Sequence, residues 1–292
     1  MISARTTAGE TLGILVGDRW LPATEVLDGG PTTMADLIAG GPRALASLRE
    51  GIAGSSIADR GRQLADADLL APLPRPGKIV AIGRNYREHA VEEGVEPPPA
   101  PLIFAKWPSS VVGHGAEVRW DPRLTGQVDY EAELAVVIGR AARWVGVDEA
   151  LDHVLGYTCL NDVTARDIQF GDGQWVRGKS LDTFCPMGPA LVTADEIGDP
   201  QDLGICCSVG DERVQDARTS AMYFGVAEII SYCSRSFTLE PGDVIATGTP
   251  GGVGAFRDPP RFLGDGDRLT VEIERIGRLE NICRFEPAGA VA

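Results

Sequence analysis

The sequence predicts an α+β, β-rich protein with a small N-terminal α/β domain ahead of a larger, strand-dominated one. Three observations carry that reading. Short apolar runs alternate with Gly, Pro and Asp turns through most of the chain, at strand length and short spacing. The 36 Gly and 20 Pro among 292 residues interrupt the chain too often for many long helices. Finally, the stretch LLAPLPRPGK holds Pro72, Pro74, Pro76 and Gly77, which can continue neither a helix nor a central strand. A boundary near residue 73 follows, dividing the chain into 1–72 and 73–292.

In order along the chain, residues 11–26 read as a hairpin, GILVG and WLPATEVL around an Asp-Arg turn. Two helical stretches, 33–40 and 43–53, are separated by Gly40-Gly41-Pro42. Beyond the boundary the expected strands are KIVAIG, LIFAKW, AEVRW, AELAVVIG, VLGYTCL, PALVT, LGICCSVG, DVIATG and RLTVEIE. The expected helices there are 86–93, 148–152 and 219–234. The last is capped by Thr219 or Ser220 and carries Met222, Val226, Ile229 and Ile230 as a core stripe.

With 43% hydrophobic and 24% charged residues the composition is that of a globular chain. The formal net charge of −15 disfavours nucleic acid and anionic membrane surfaces as partners. No run approaches a spanning helix, and the N-terminus has no hydrophobic signal core, so the expected location is cytoplasmic. The six Cys form no CxxC pair and read as free thiols, with Cys206 and Cys207 on opposite faces of a strand.

The most informative segment is VDYEAELAVVIG (128–139). Glu131 and Glu133 are two apart, on one face at the mouth of an apolar, buried strand. Two carboxylates so placed repel each other and lose hydration, and a hard divalent cation such as Mg²⁺ or Mn²⁺ relieves both effects. YTCLNDVTARD (157–167) adds Asp162 at another strand end, which completes an oxygen-only set. Asp167 ranks below it, since Arg166 beside it offers a simple structural partner. Zinc would be expected to recruit His or Cys; these motifs hold no His, and their one Cys, Cys159, lies inside the apolar run and reads as a free thiol.

In IGRNYREHAVEEGVEPP (82–98), His89 and Glu92 share a helix face, the arrangement of a general base held by a carboxylate; Glu93 is the alternative partner. His114 and His153 have no comparable neighbour. Lys179 lies in a Gly-Lys-Ser turn that lacks phosphate-loop spacing and reads as a cation facing the metal site or as a surface ammonium. DVIATGTPGGVG (243–254) ends a strand in a Gly-rich loop able to aim N–H groups at a carboxylate.

Taken together, Asn85-Tyr86-His89-Glu92, Asp129 to Gly139, Asn161 to Asp167, Gly178 to Pro189 and Ala246 to Gly254 resemble the fumarylacetoacetate hydrolase family in motif and in order. The likeness covers about residues 77–286. It implies a mixed β-sandwich roll, usually a homodimer. It implies that Glu131, Glu133 and Asp162 hold Mg²⁺ or Mn²⁺, with Ca²⁺ able to replace them in crystals, and that His89 and Glu92 form a dyad on a lid helix. Lys179 is matched to a catalytic role, Arg84, Tyr86 and Gln169 to substrate contacts, and Thr249 to the residue holding the substrate carboxylate. KWPSSVVGHG (106–115) departs from the family pattern, which often has Pro directly after the Lys and Pro in place of His114.

The chemistry expected from this set is stabilisation of the enolate of a 2-oxo acid. The complete dyad favours a hydrolase that cleaves a C–C bond in a 2,4-dioxo acid of the acylpyruvate or fumarylpyruvate type. An oxaloacetate-type decarboxylase or 2-hydroxymuconate-type isomerase on the same scaffold is the alternative. A non-enzymatic 2-oxo acid binding protein is the reading from another class.

Overall fold

The computed structural model describes residues 1–286. Near the N-terminus a five-stranded sheet runs in the order Arg62–Gln63, Arg19–Pro22, Gly9–Val16, Ile2–Thr6, Asp68–Leu70. The expected hairpin is its centre, with Gly13 opposite Pro22 and Val16 opposite Arg19. Its second limb is shorter than expected, because the chain turns helical over Ala23–Val26 directly after Pro22. Met34–Ala53 is helical with a break where Gly41 takes φ 60° ahead of Pro42, so the two expected helices stand end to end at a kink. Thr33 caps the first of them, accepting from the Asp36 N–H while the Asp36 carboxylate accepts from the Thr33 N–H.

The centre of the molecule is a seven-stranded mixed sheet. Its order is Leu102–Lys106, Ile79–Gly83, Val244–Ala246, Ala132–Ile138, Val154–Asn161, Cys185–Thr193, Val111–Val112. A second five-stranded sheet packs against it: Glu212–Arg218, Gly204–Val209, Arg268–Ile273, Gly277–Phe285, Glu117–Trp120. Alternate residues of Ala132–Ile138 serve two apolar cores. Leu134, Val136 and Ile138 face the second sheet, whereas Ala135 and Val137 join Leu12, Leu37 and Leu48 beneath the N-terminal part. Every residue of that strand is buried, including Glu133.

Two helix expectations need correction. The stretch expected to be helical over 219–234 is a 3₁₀ turn at Thr219–Ala221, an extended link, and then the helix Val226–Ser236. Gly225 is the N-cap, with the Glu228 carboxylate accepting from its N–H at 2.8 Å, so Thr219 caps nothing. Instead the Thr219 hydroxyl donates to the Pro200 carbonyl and accepts from the Leu203 N–H. Met222 lies off the helix, bridged to Tyr86. At 148–152 the chain forms only a 3₁₀ turn, Ala150–His153. The six cysteines are unpaired, and Cys207 is buried where Cys206 is half-buried, as strand alternation requires. Among the described residues, no helix is long and apolar enough to cross a membrane.

Candidate active site

Glu131, Glu133 and Asp162 come together at one end of the central sheet. Glu133 is on the strand Ala132–Ile138, paired opposite Leu160, and Glu131 precedes that strand. Asp162 follows the neighbouring strand Val154–Asn161, and its N–H donates to the Glu131 carbonyl at 2.9 Å. One oxygen from each carboxylate lies within 4.8 Å of the others, and all three residues are buried.

Three buried cations surround this cluster. Lys179 ends a single helical turn, Val176–Lys179, rather than sitting in an open loop. Its ammonium donates to Glu131 Oε2 (2.9 Å), Asp162 Oδ2 (2.8 Å) and Thr164 Oγ1 (2.9 Å). The Phe104 ring lies 5.0 Å from Lys179 Nζ. Lys106, at the end of the strand Leu102–Lys106, donates to Asp162 Oδ1 at 2.6 Å and to the Lys179 carbonyl. Arg166 donates from Nε to Asp129 Oδ2 at 2.8 Å and from Nη1 to Gln169 Oε1 at 3.1 Å. Its Nη2 stands 2.7 Å from Glu131 Oε1 without hydrogen-bond alignment.

These contacts divide the two glutamates. Burial alone would push the Glu131 carboxyl up, but Lys179 and Arg166 outweigh it and hold it down to about 2. Glu133 makes no ion pair among the described residues. Its one hydrogen bond is from the Gly248 N–H to Oε2 at 2.7 Å. Burial, then the charges of Asp162 and Glu131, push its carboxyl well above the ordinary range. An oxygen-only trio with one uncompensated member suits a hard divalent cation.

Above the cluster sits the short helix Arg87–Glu92. His89 is 4% exposed. Its Nε2 is 3.0 Å from Glu93 Oε1, whereas its Nδ1 is 3.8 Å from Glu92 Oε2 and has no hydrogen-bond partner. The residue in hydrogen-bonding distance is therefore Glu93, the i+4 neighbour. Glu92 instead accepts from the Gly252 N–H at 2.7 Å, and Glu93 also accepts from Arg84 Nε at 2.6 Å. Burial lowers the affinity of His89 for a proton, but the Glu92 and Glu93 carboxylates outweigh it, and the net shift is upward.

The cavity between helix and cluster is lined by Arg84, His89, Glu93, Glu131, Glu133, Gln169, Lys179 and Thr249, with Phe104 and Trp175 as walls. Its room is about 20 Å³, little more than one water molecule. Asp162 and Glu92 are outside that lining. Tyr86 is 1% exposed with an unpartnered hydroxyl, and burial, then the charge of Glu133, hold its proton on. Thr249 Oγ1 accepts from Gln215 Nε2 at 2.8 Å. The Gly-rich loop does present N–H groups to carboxylates, and these belong to the protein: Glu133, Glu92 and Asp129.

Lys106, Asp129, Gln215 and Thr164 join the site although their local sequence does not point to it, and Arg166 does not pair with Asp167 as its position beside it suggests. Arg166 turns inward to Asp129 and Glu131, while Asp167 is exposed and accepts from Thr125 Oγ1 at 2.6 Å. The available signal for Lys106 was a lone cation closing the apolar run LIFAK.

A family profile described as fumarylacetoacetate (FAA) hydrolase C-terminal matches residues 78–284. The chain belongs to the fumarylacetoacetate hydrolase family. Within it, oxaloacetate tautomerase YisK of Bacillus subtilis (strain 168) is 48% identical over 221 residues, 75% of this chain and 73% of that protein. The mitochondrial oxaloacetate tautomerase FAHD2B of Bos taurus is 43% identical over 253 residues, 86% of this chain and 79% of the relative. The solved structure of maleylpyruvate hydrolase from Sphingobium sp. SYK-6 superposes with a TM-score of 0.81 at 32% identity, covering 98% of this chain and all of that one. The strand-rich fold is thus that of the family, whose members include tautomerases, isomerases and hydrolases.

Proposed function

We propose that this chain is a divalent-metal-dependent keto–enol tautomerase acting on a 2-oxo acid of the oxaloacetate class. The observation that carries the reading is the buried trio Glu131, Glu133 and Asp162, with Glu133 left without a cation and Lys179 bridging the other two. The tautomerase names of relatives at 43–48% identity support the choice of reaction. Mg²⁺ or Mn²⁺ held by the trio would supply a Lewis acid toward the carboxylate and 2-oxo oxygens of the substrate.

The remaining steps belong to the side chains. Lys179, kept charged by Asp162 and Glu131 against the opposing effect of burial, shares the negative charge on the enolate oxygen. His89 moves the proton at C3: as imidazolium it delivers one when the enol becomes the ketone, and as imidazole it removes one in the reverse direction. The enol hydroxyl proton leaves to solvent as the C3–H bond forms. Phe104 and Trp175 keep bulk water from the enolate. Gln169, Arg84 and Thr249 complete the substrate contacts from the cavity wall, Tyr86 lies outside that lining, and the working protein is a homodimer.

A second reading has its own support. His89 between two carboxylates could activate a water for C–C hydrolysis of an acylpyruvate or fumarylpyruvate, as the likeness to a maleylpyruvate hydrolase suggests. One assay separates the two: ultraviolet decay of enol-oxaloacetate beside product analysis on an acylpyruvate, both with Mg²⁺. The tautomerase reading expects faster enol loss without CO₂ release and no acylpyruvate cleavage. Cleavage without accelerated enol loss would replace it with the hydrolase reading, and CO₂ release would make the protein a decarboxylase.

A further inference from the structure

The cavity above the carboxylate trio is too small for a four-carbon diacid while the side chains stand as they do. Some resident group must leave when substrate arrives, and the cations around the cavity indicate which. Lys106, Lys179 and Arg166 are buried, and each is committed to carboxylates of the cluster. Arg84 differs. Its side chain is 33% exposed, and its one polar partner among the described residues is Glu93, bonded through Nε. Among the described residues the terminal guanidinium nitrogens carry no protein hydrogen bond, and the group lies over the Trp175 ring at 5.6 Å.

Its position is well fixed. Arg84 takes φ 56°, an uncommon conformation for a side chain of this size. Next to it, buried Asn85 is tied to Phe224 N–H, Phe224 carbonyl and Thr247 carbonyl. The Glu93 carboxylate is held by two contacts, Arg84 Nε at 2.6 Å and His89 Nε2 at 3.0 Å. An arginine and a histidine converging on one carboxylate make a receptor for a carboxylate. Here the receptor is filled by the protein's own side chain, on the residue that closes the lid helix just before Gly94 at φ 65°.

We infer that Glu93 is a placeholder for the second carboxylate of the substrate, and that Arg84 is the cation for which the two compete. A dicarboxylate displaces Glu93 from Arg84 and gains a charge-assisted bond in exchange for the one broken. A monocarboxylate has nothing to offer Arg84 and leaves Glu93 in place, in the cavity and on His89. The pair thus selects a 2-oxo diacid over a 2-oxo monoacid, by competition inside the site rather than by shape. This deepens the proposed function and rests on it for the identity of the first carboxylate's site.

The test uses the full-length protein with Mg²⁺ and two substrates differing only in the distal charge: oxaloacetate and its 4-methyl ester. Arg84→Gln should raise the KM for oxaloacetate by about 10²-fold, the usual loss on truncating one partner of a desolvated charge pair. The ester should change by no more than about threefold, as expected where no charge-assisted bond is lost. Glu93→Ala should lower the KM for oxaloacetate by about tenfold, and kcat should fall alike for both compounds because His89 Nε2 loses its partner. If Glu93 merely orients His89, Glu93→Ala lowers kcat equally for both compounds with KM unchanged, and the placeholder is overturned. Equal losses on both compounds in Arg84→Gln overturn the receptor. Should the wild-type protein turn over neither compound, the proposed reaction fails separately. Calorimetric affinities for malate and lactate then decide: Glu93→Ala tightening malate alone supports the inference, and no change in the malate-to-lactate ratio in either variant ends it.

Discussion

The floor and the lid of this site are built on opposite principles. On the floor, Glu131, Glu133, Asp162, Lys106, Arg166 and Lys179 are each at most 4% exposed, at the ends of the central strands or on the segments that follow them. Most are tied by two or more polar contacts. The lid is one helix of six residues, Arg87–Glu92, with no side-chain N-cap. Val91 on it is 77% exposed, and Gly94 at φ 65° follows. A helix this short is marginal by itself and depends on docking, here through Glu92 on Gly252 and Glu93 on Arg84. The contrast teaches where each part of the proposed reaction would reside: the floor stores charge in a buried frame, and the lid would control entry and carry the proton-transfer group.

If that division is right, substitutions separate activity from stability. The largest expected effect is Glu133→Ala, which should reduce activity to background. Its thermal midpoint should equal or exceed that of the wild type, because a buried, uncompensated carboxylate is removed. A collapse of the midpoint would make Glu133 a structural residue. Next, His89→Ala should slow enol-to-ketone conversion by about 10²–10⁴-fold with the urea midpoint unchanged. Unchanged turnover would reduce the lid to a surface helix. Lys106→Met should destabilise the fold in urea unfolding by about 2–3 kcal/mol, less than the loss of a sole partner, since buried Asp162 then keeps Lys179 as its one remaining cation. A value near zero would mean the floor is not charge-coupled.

The smallest effect is a shift in pH dependence. His89 holds its proton above the usual value of about 6.5, so the limb on which the base form appears lies above that pH. Glu92→Gln removes a carboxylate that favours the imidazolium, so the limb in kcat for the ketone-to-enol direction should move to lower pH. A shift upward would contradict the arrangement of the lid.

Much of the floor is legible in the sequence because it rests on local spacing. Glu131 and Glu133 share a face by strand period, and Asp162 ends an apolar run. The strands flanking them are equally plain, since both faces are buried and the runs are continuously apolar. What was not legible depended on contacts far apart in the chain. Lys106 reaches Asp162 across 56 positions, and Arg166 reaches back 37 positions to Asp129 instead of pairing with its neighbour. Edge strands such as Glu212–Arg218 are polar on one side and too charged to read as apolar runs. The helix expected from Thr219 starts at Gly225, because the Glu228 carboxylate caps that N–H and the preceding residues are bound to Asn85. The choice between Glu92 and Glu93 turns on the end of the lid helix. Glu93 is its C-cap, where helical spacing ceases to dictate which side chain meets His89.

The central claim is that the three carboxylates hold a divalent cation needed for enolisation. Its most direct test is a calorimetric Mn²⁺ titration of metal-stripped wild-type and Glu133→Ala protein, with C3 proton exchange into deuterated solvent followed by NMR on the same samples. The account predicts one Mn²⁺ per chain in the wild type and none in the variant, with exchange no faster than in protein-free buffer for stripped protein and accelerated beyond the metal-only control by Mn²⁺ or Mg²⁺ in the wild type alone. Full exchange in stripped protein, or equal Mn²⁺ binding by both proteins, would contradict it.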